Sequence, residues 1–413
     1  MGIKNVNEIV KDKCERAFVS VKVKSLQNKR LAIDSALWFY ANMSVAQTRF
    51  VRKMKDILRE IDRGELMQFC IQSALRFYTY LLDHDIYGVW IIDGISPQQK
   101  KATRAKRQET RESRKDKIAV LRAKLEKQDV LIQNPKDVDD LRKLLLYDVN
   151  IYPEENRLFF TVLENLGLPI IMAPGEAEAY ACSLNQKGIV YGIWTTDTDC
   201  YALGGINMIT GFEGVDEYGN EMMSVVHVPY IRKYLGFDED EMRDFCIMCG
   251  TDFNNNITNV GVTRAYNAIE KHRSIDSYSE NENKNVDVLN HESSRELLTA
   301  PECDLELGSD SLNMDLDKFN KYGSDMNSQY ELDTYYNKLA QHMKRNIVIT
   351  GYKIALGPHN CKAVAKIVIN GVPVKKEEEE HEEKKSLLQI QKATVKYDKN
   401  ITSLEELLAN LKT

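Results

Sequence analysis

Short apolar runs that end on acidic residues recur along the chain and set its organisation. Lys29–Asp34 (KRLAID), Tyr87–Asp93 (YGVWIID) and Ile189–Asp199 (IVYGIWTTDTD) each close on aspartate, and Leu168–Ala173 (LPIIMA) runs into Pro174-Gly175-Glu176-Ala177-Glu178. Each is short enough for a buried strand, and long stretches of helical periodicity separate them. Ser35–Tyr40 opens one helix; Leu66, Phe69, Ile71, Leu75, Tyr78 and Leu82 mark a helical pattern from Thr48 to Asp83 that breaks near Asp62-Arg63-Gly64. Pro174 with the early glutamates marks another helix start. A further strand is expected near Val225–Val228 and a helix over Glu239–Cys249. Strands alternating with helices predict an α/β fold, a mostly parallel central sheet flanked by helices.

Ligand sites in such sheets form outside the carboxyl ends of the strands. Asp34, Asp93, Asp197 and Asp199 stand at such ends, and Glu176 and Glu178 follow another. Read as extended backbone, Asp197 and Asp199 project from one face. At about 4 Å and an effective dielectric near 20, two like charges repel by roughly 4 kcal/mol, so a proton or a metal must settle the pair. The alternative is a solvated turn. Glu176 and Glu178 point about 200° apart on a regular helix and cooperate only if they straddle its start; otherwise they simply complement the helix dipole. Asp252, in the turn-rich stretch after the Glu239–Cys249 helix, is a further carboxylate.

From Gln98 to Lys124 the chain carries eleven Lys or Arg against Glu109, Glu112 and Asp116. Lys100, Arg104, Arg107, Arg111 and Arg114 recur at spacings of three or four, so a helix presents one basic stripe. That is either a solvated surface helix or, directly after Asp93-Gly94, a place to hold a phosphodiester. The net charge of -6 over 413 residues does not advertise a nucleic-acid binder, and only this distribution does. Of the eight cysteines only Cys246 and Cys249 form a C-x-x-C, with no second pair at zinc-site spacing, which favours reduced thiols in an intracellular compartment and an apolar helix there. No uncharged apolar run spans a bilayer, and Val6 stands where myristoylation needs Ser or Thr.

Seven acids converging on one crevice would carry raised pKa values without a counter-ion. Hard oxygen donors select Mg2+ or Mn2+, and their number exceeds what one ion requires. Two ions and a basic stripe suit hydrolysis of a nucleic-acid phosphodiester.

The opening MGIK, AID at 32–34, IIDG at 91–94, APGEAEA at 173–179, TTDTD at 195–199 and CGTDF at 249–253 stand in an order and spacing that resemble the structure-specific 5' nucleases, an XPG-like family, and its flap endonuclease branch most closely. The resemblance covers residues 1 to about 275 and continues weakly to about 325, where NHESSRELLTAP at 290–301 resembles the helical tail of the family core. By composition alone, residues 276–328 could equally be an acidic disordered linker.

The resemblance implies a PIN-like 5' nuclease core with a helical arch and a helix-two-turn-helix segment. It divides the chain into a nuclease region with gateway helix (1–110), an arch (111–153), an internal nuclease region (154–275), a helical or acidic extension (276–330) and a C-terminal extension with a charged tail (331–413). It implies two Mg2+, with Mn2+ able to substitute: Asp93, Glu176 and Glu178 at one, Asp34 reaching it through water, and Asp197, Asp199 and Asp252 at the other. Lys100 and Arg107 polarise the scissile phosphate, Arg104 and Arg111 line the gateway helix, Tyr40 stacks on the adjacent base, and Gly2 brings the amino terminus beside the site. Asn259, Gly261, Thr263 and Arg264 grip the duplex backbone. The implied substrate is branched or 5'-flapped DNA, cut by a monomer in the nucleus or cytoplasm during replication, repair or recombination. A Holliday-junction resolvase or a 5'-3' exoribonuclease would share these acids, and a catalytically silent DNA-binding scaffold would have lost some of them. Three departures mark a divergent member of the sort a large DNA virus carries. Asn259 replaces the first glycine of a Gly-x-Gly turn, Thr110 stands where a second arginine is common, and no sliding-clamp box is recognisable.

Overall fold

The computed structural model describes residues 2–128, 133–165, 167–306 and 309–315, and the backbone of 348–357 and 360–368. Seven strands form one mixed sheet: β1 (Phe18–Lys22), β2 (Arg30–Asp34), β3 (Tyr87–Ile92), β4 (Ile170–Met172), β5 (Gly192–Trp194), β6 (Asn207–Val215) and β7 (Glu221–His227), in the order β1-β7-β6-β5-β2-β3-β4. Strands β6, β5, β2, β3 and β4 run parallel, and β7 and β1 add an antiparallel edge. The helices are α1 (Val6–Lys13), α2 (Ser35–Lys53), α3 (Arg63–Asp83), α4 (Lys101–Glu126), α5 (Pro135–Tyr147), α6 (Pro153–Asn165), α7 (Ala177–Gln186), α8 (Asp199–Ala202), α9 (Val228–Leu235), α10 (Glu239–Cys249), α11 (Val262–His272), α12 (Ile275–Glu282) and α13 (His291–Leu297). A separate antiparallel pair, β8 (Val348–Gly357) and β9 (Asn360–Val368), follows.

The parallel strands read as continuous apolar runs because helices cover both their faces. Leu31 and Ile33 of β2 and Trp90 of β3 join a core with Phe39, Met43 and Phe159, in which Phe39 and Phe159 stack at 4.4 Å. Ala32, Val89 and Ile91, one residue out of phase, join the opposite core with Ala181, Tyr201, Phe245 and Ile269. Residues 104–113 of α4 are all exposed, and only its distal turns pack, through Ile118 and Leu125, in the core that holds Leu141 and Leu145 of α5. At 1.5 Å per residue the 26 residues of α4 reach about 39 Å, a long cationic rod fixed at its two ends.

Two expectations are corrected. The strand expected over Ile189–Asp199 is three residues long, Gly192–Trp194. Asn185 Nδ2 donates to the Val190 and Tyr191 carbonyls and so holds the entry to the strand. The Thr195 hydroxyl accepts the Asp197 amide at 3.1 Å and turns the chain after it. Asp197 and Asp199 therefore meet across a turn that enters α8, not along an extended face. Residues 276–306 are not a disordered linker: Leu289, Leu298 and Cys303 are buried, and Arg295 grips Asp244 of α10 and Asp276 of α12. The charged tail expected within 331–413 and residues 316–330 lie outside the described residues.

Candidate active site

Four strand ends deliver acids to one edge of the sheet. Asp34, the last residue of β2, caps α2 by accepting the Leu37 amide at 3.1 Å, and the Thr195 hydroxyl reaches its other oxygen at 3.4 Å. Asp93, just past β3, accepts the Ala177 amide at 2.8 Å and so ties β3 to the first turn of α7. Gly94 makes that contact possible, since a Cβ there would stand 2.0 Å from the Ala173 carbonyl oxygen. Glu176 is the N-cap of α7 in extended backbone and Glu178 lies in its first turn, so the pair straddles the helix start.

Carboxylate oxygens of Glu178, Asp197 and Asp199 lie within 4.8 Å of one another. Burial pushes all three carboxyls up: Glu178 well above the usual range and Asp199 to about 8, each raised further by Asp197, and Asp197 upward against the opposing pull of the amino terminus and Lys100. Burial likewise pushes Asp34 up to about 7, with Asp93 and Asp197 adding to it. Asp199 Oδ1 is buried without a hydrogen-bond partner. An orphaned oxygen among all-oxygen donors that resist ionising fits a hard divalent cation. The neighbouring thiols do not join the donor set. Cys200 Sγ lies 3.5 Å from Glu178 Oε1 and 3.7 Å from Cys182 Sγ, and its buried thiol is held well above the usual range.

These raised carboxyls fix a sign for pH dependence. A group that holds its proton more tightly folded than unfolded favours folding below its unfolded pKa, and that contribution is lost as pH rises through the folded value. The chain in EDTA should therefore lose stability from about pH 4, where these carboxyls ionise in the unfolded chain, up to about pH 8, where Asp34 and Asp199 have ionised in the folded one as well. Saturating Mg2+ should raise Tm more at the upper end of that window than at the lower. Melting curves with and without Mg2+ check this, and a metal-induced gain that is equal at both ends would contradict it.

Asp34, Glu176 and Asp252 lie outside the tight trio but share its field, Asp34 raising Glu178 and Asp252 and Glu176 raising Asp199, while Asp93 acts on Asp34. Two cations from the base of α4 neutralise this rim. Lys100 Nζ meets Glu176 Oε1 at 2.6 Å, and one Arg107 amino group reaches both Asp252 oxygens at 2.8 and 2.6 Å. Lys100 is held above the usual lysine range because Glu176, Asp199 and Asp252 outweigh the effect of burial.

The remaining predicted positions scatter around this centre. A Cβ on Gly2 would stand 2.0 Å from Asp197 Oδ1, so only glycine lets the first residues lie against the trio, and the Ile3 amide donates to Thr198 Oγ1 at 2.9 Å. Tyr40 is exposed on α2. Arg104 and Arg111 are exposed on α4, Arg104 bonding Ser96 rather than an acid. Asn259 adopts φ 64, the left-handed backbone for which asparagine is tolerated, whereas Gly261 is extended at φ -95 and caps α11. Thr263 and Arg264 are exposed in the first turn of α11, and Arg264 Nη1 donates to the Asn259 carbonyl at 2.5 Å. Sequence reasoning missed Thr103, Thr195 and the Cys182–Cys200 pair. Nothing in the spacing of these residues signals their contacts.

A carboxylate cluster at the carboxyl ends of a parallel sheet, overhung by a cationic helix, suits divalent cations held beside a phosphodiester. The XPG N-terminal domain model matches residues 1–114 and the XPG I-region model residues 167–252, so these two segments are similar to that family. A probable RAD2-like endonuclease of Invertebrate iridescent virus 6 is 28% identical over 329 residues, 70% of this chain and 77% of that one. Flap endonuclease 1 of Cryptosporidium muris is 29% identical over 312 residues, 73% of this chain and 63% of that one, and that of Mus musculus 27% over 276 residues, 67% and 68%. The catalytic core of Rad2 in complex with DNA substrate shares the fold, with a TM-score of 0.51 at 19% identity over 83% of this chain and 100% of that one. Among the described residues no helix is long and apolar enough to cross a membrane.

Proposed function

We propose that the protein is a metal-dependent 5' flap endonuclease with 5'-3' exonuclease activity, acting on branched or 5'-flapped duplex DNA in replication, repair or recombination. The observation that carries this reading is the pairing of Lys100 and Arg107 with Glu176 and Asp252 at the root of an exposed cationic helix. Relatives named as flap endonuclease 1 support the substrate class.

In this reading Asp93, Glu176 and Glu178, with Asp34 through water, hold one Mg2+, and Asp197, Asp199 and Asp252 a second; bound there, the ions supply an activated water and charge stabilisation of the leaving oxygen. The chain does the rest. Lys100 and Arg107 exchange their carboxylates for the oxygens of the scissile phosphate, Arg107 with a fork suited to it. Arg104 and Arg111 extend that contact along the strand entering beside α4. The exposed ring of Tyr40 offers a stacking face to the adjacent base. Backbone amides at the start of α11, which no side chain caps, face the duplex phosphates beside Thr263 and Arg264. The protein works as a monomer inside the cell and is recruited without a sliding-clamp box.

The test is cleavage of end-labelled 5'-flap DNA in Mg2+, beside a Holliday junction and a 5' single-stranded RNA. Cleavage should favour the flap, vanish in EDTA and fall about a thousandfold in Asp197→Ala, equivalent to about 4 kcal/mol of transition-state stabilisation. An inert wild-type chain, or cleavage indifferent to Asp197→Ala, would sink the proposal. A preference for the junction or RNA would move it to those relatives.

A further inference from the structure

We infer that Thr103 is a positioning residue for Asp252, and that the root of α4 and the Asp252 carboxylate keep a fixed relation when Arg107 changes partners; this rests on the proposed role of Asp252 as an ion ligand. Lys100, Thr103 and Arg107 recur at three and four residues and share one face of the helix. All three close on the same loop. Lys100 Nζ sits 4.9 Å from the ring centroid of Phe253, the Thr103 hydroxyl donates to the Asp252 main-chain oxygen at 2.7 Å, and Arg107 holds the Asp252 carboxylate.

The loop is the rigid partner. The Thr251 amide and hydroxyl both donate to Asn254 Oδ1 at 3.1 and 2.5 Å, the Phe253 amide donates to Thr251 Oγ1 at 3.0 Å, and Asn254 Nδ2 donates to the Ile247 carbonyl at 2.9 Å. The Lys4 amide binds the Gly250 carbonyl at 3.0 Å from the other side. The helix is the compliant partner, since its next ten residues, 104–113, are exposed.

The tethers differ in what competes for them. The Arg107 contact is an ion pair with a side chain 45% exposed, and a phosphate for the cation or a metal for the carboxylate breaks it. Lys100 faces the same competition at Glu176. The Thr103 bond is neutral and ends on a main-chain oxygen that no ion in the proposed site uses. It persists when both cations let go, and it holds the Asp252 backbone at the root of α4 while the carboxylate turns to its new partner. Without it the carboxylate is free to drift from Asp197 and Asp199.

Thr103→Val removes the hydroxyl and keeps the β-branched shape, Thr103→Ala removes both, and Thr103→Ser keeps the hydroxyl. Mn2+ binding to the DNA-free protein, followed by electron paramagnetic resonance, should weaken about tenfold at one class of site in the Val and Ala forms and stay within about twofold of wild type in the Ser form. The Mg2+ concentration for half-maximal flap cleavage should rise in parallel, with KM for DNA unchanged. Wild-type Mn2+ binding in Thr103→Val and Thr103→Ala, or equal losses in Thr103→Ser, overturns the inference. Loss of Mn2+ affinity in a chain whose wild type does not cut flaps would overturn the flap reading and leave the positioning role standing; unaltered Mn2+ binding in a flap-cutting enzyme does the reverse.

Discussion

Asp199→Asn is expected to cut 5'-flap cleavage about a thousandfold while raising, not lowering, the melting temperature of the chain in EDTA. The two effects have one cause. Asp199 is 4% exposed, its Oδ1 has no partner, and Asp197, Asp252 and Glu176 all oppose its ionisation, leaving its carboxyl at about 8. A carboxylate held there costs folding free energy at alkaline pH, and asparagine, of the same shape, does not incur that cost. The gain in Tm should be several degrees near pH 8.5 and vanish only near about pH 3.5, where the wild-type carboxyl is protonated in the unfolded chain as well. Saturating Mg2+ should invert the order, because binding to the folded state stabilises only a chain that keeps its donors. Scanning calorimetry at the two pH values with EDTA or Mg2+, beside a flap-cleavage assay, measures all of this. A variant that melts below wild type in EDTA at pH 8.5, or that cleaves at the wild-type rate, contradicts the account.

How much of this was legible in the sequence depends on which bonds end each element. β2 and β3 were readable because Leu31–Ile33 and Val89–Ile91 are fully buried and apolar up to the acids that follow. The Glu176/Glu178 pair was readable because Pro174-Gly175 fixes where α7 begins. Ile189–Asp199 misled because an apolar run does not reveal that Asn185 will take the Val190 and Tyr191 carbonyls or that the Thr195 hydroxyl will take the Asp197 amide. β1 and β6 went unread, since their residues are half exposed and β6 is broken by bulges at Gly211 and Gly214, where φ is 154 and 88. In 276–306 the acids dominate composition, while sparse Leu289, Leu298 and Cys303 decide the fold. Asn259 was legible as a left-handed position because few other side chains tolerate it. The ion pairs of Lys100 and Arg107 were not, because pairing across 76 and 145 residues leaves no local pattern.

Arg63→Met should destabilise the chain by about 3–5 kcal/mol, the largest stability loss expected from a single change away from the acids. Arg63, at the start of α3, forks onto Glu155 near the start of α6 at 2.8 and 2.6 Å and donates to the Asn150 carbonyl at 2.6 Å, with Tyr152 5.0 Å from its guanidinium. Glu155 is fully buried, and the Tyr152 amide at 2.9 Å is its remaining partner. Removing the cation strands a carboxylate in the core beneath α3 and α6. For a domain of this size Tm should fall by roughly 6–20 °C. Arg63→Lys keeps the charge but not the fork and should fall between. Arg63→Met with Glu155→Leu should recover most of the loss, since a buried pair is costly chiefly when half of it remains. The pair also fixes where α6 begins, and α6 carries the chain from α5 back to β4 and so to Glu176 and Glu178. Arg63→Met should therefore keep its cleavage rate at low temperature, where the fold survives, and lose it steeply on warming. A Tm of Arg63→Met within about 1 °C of wild type, or a double variant that falls as far as the single one, would contradict this account of the Arg63–Glu155 pair.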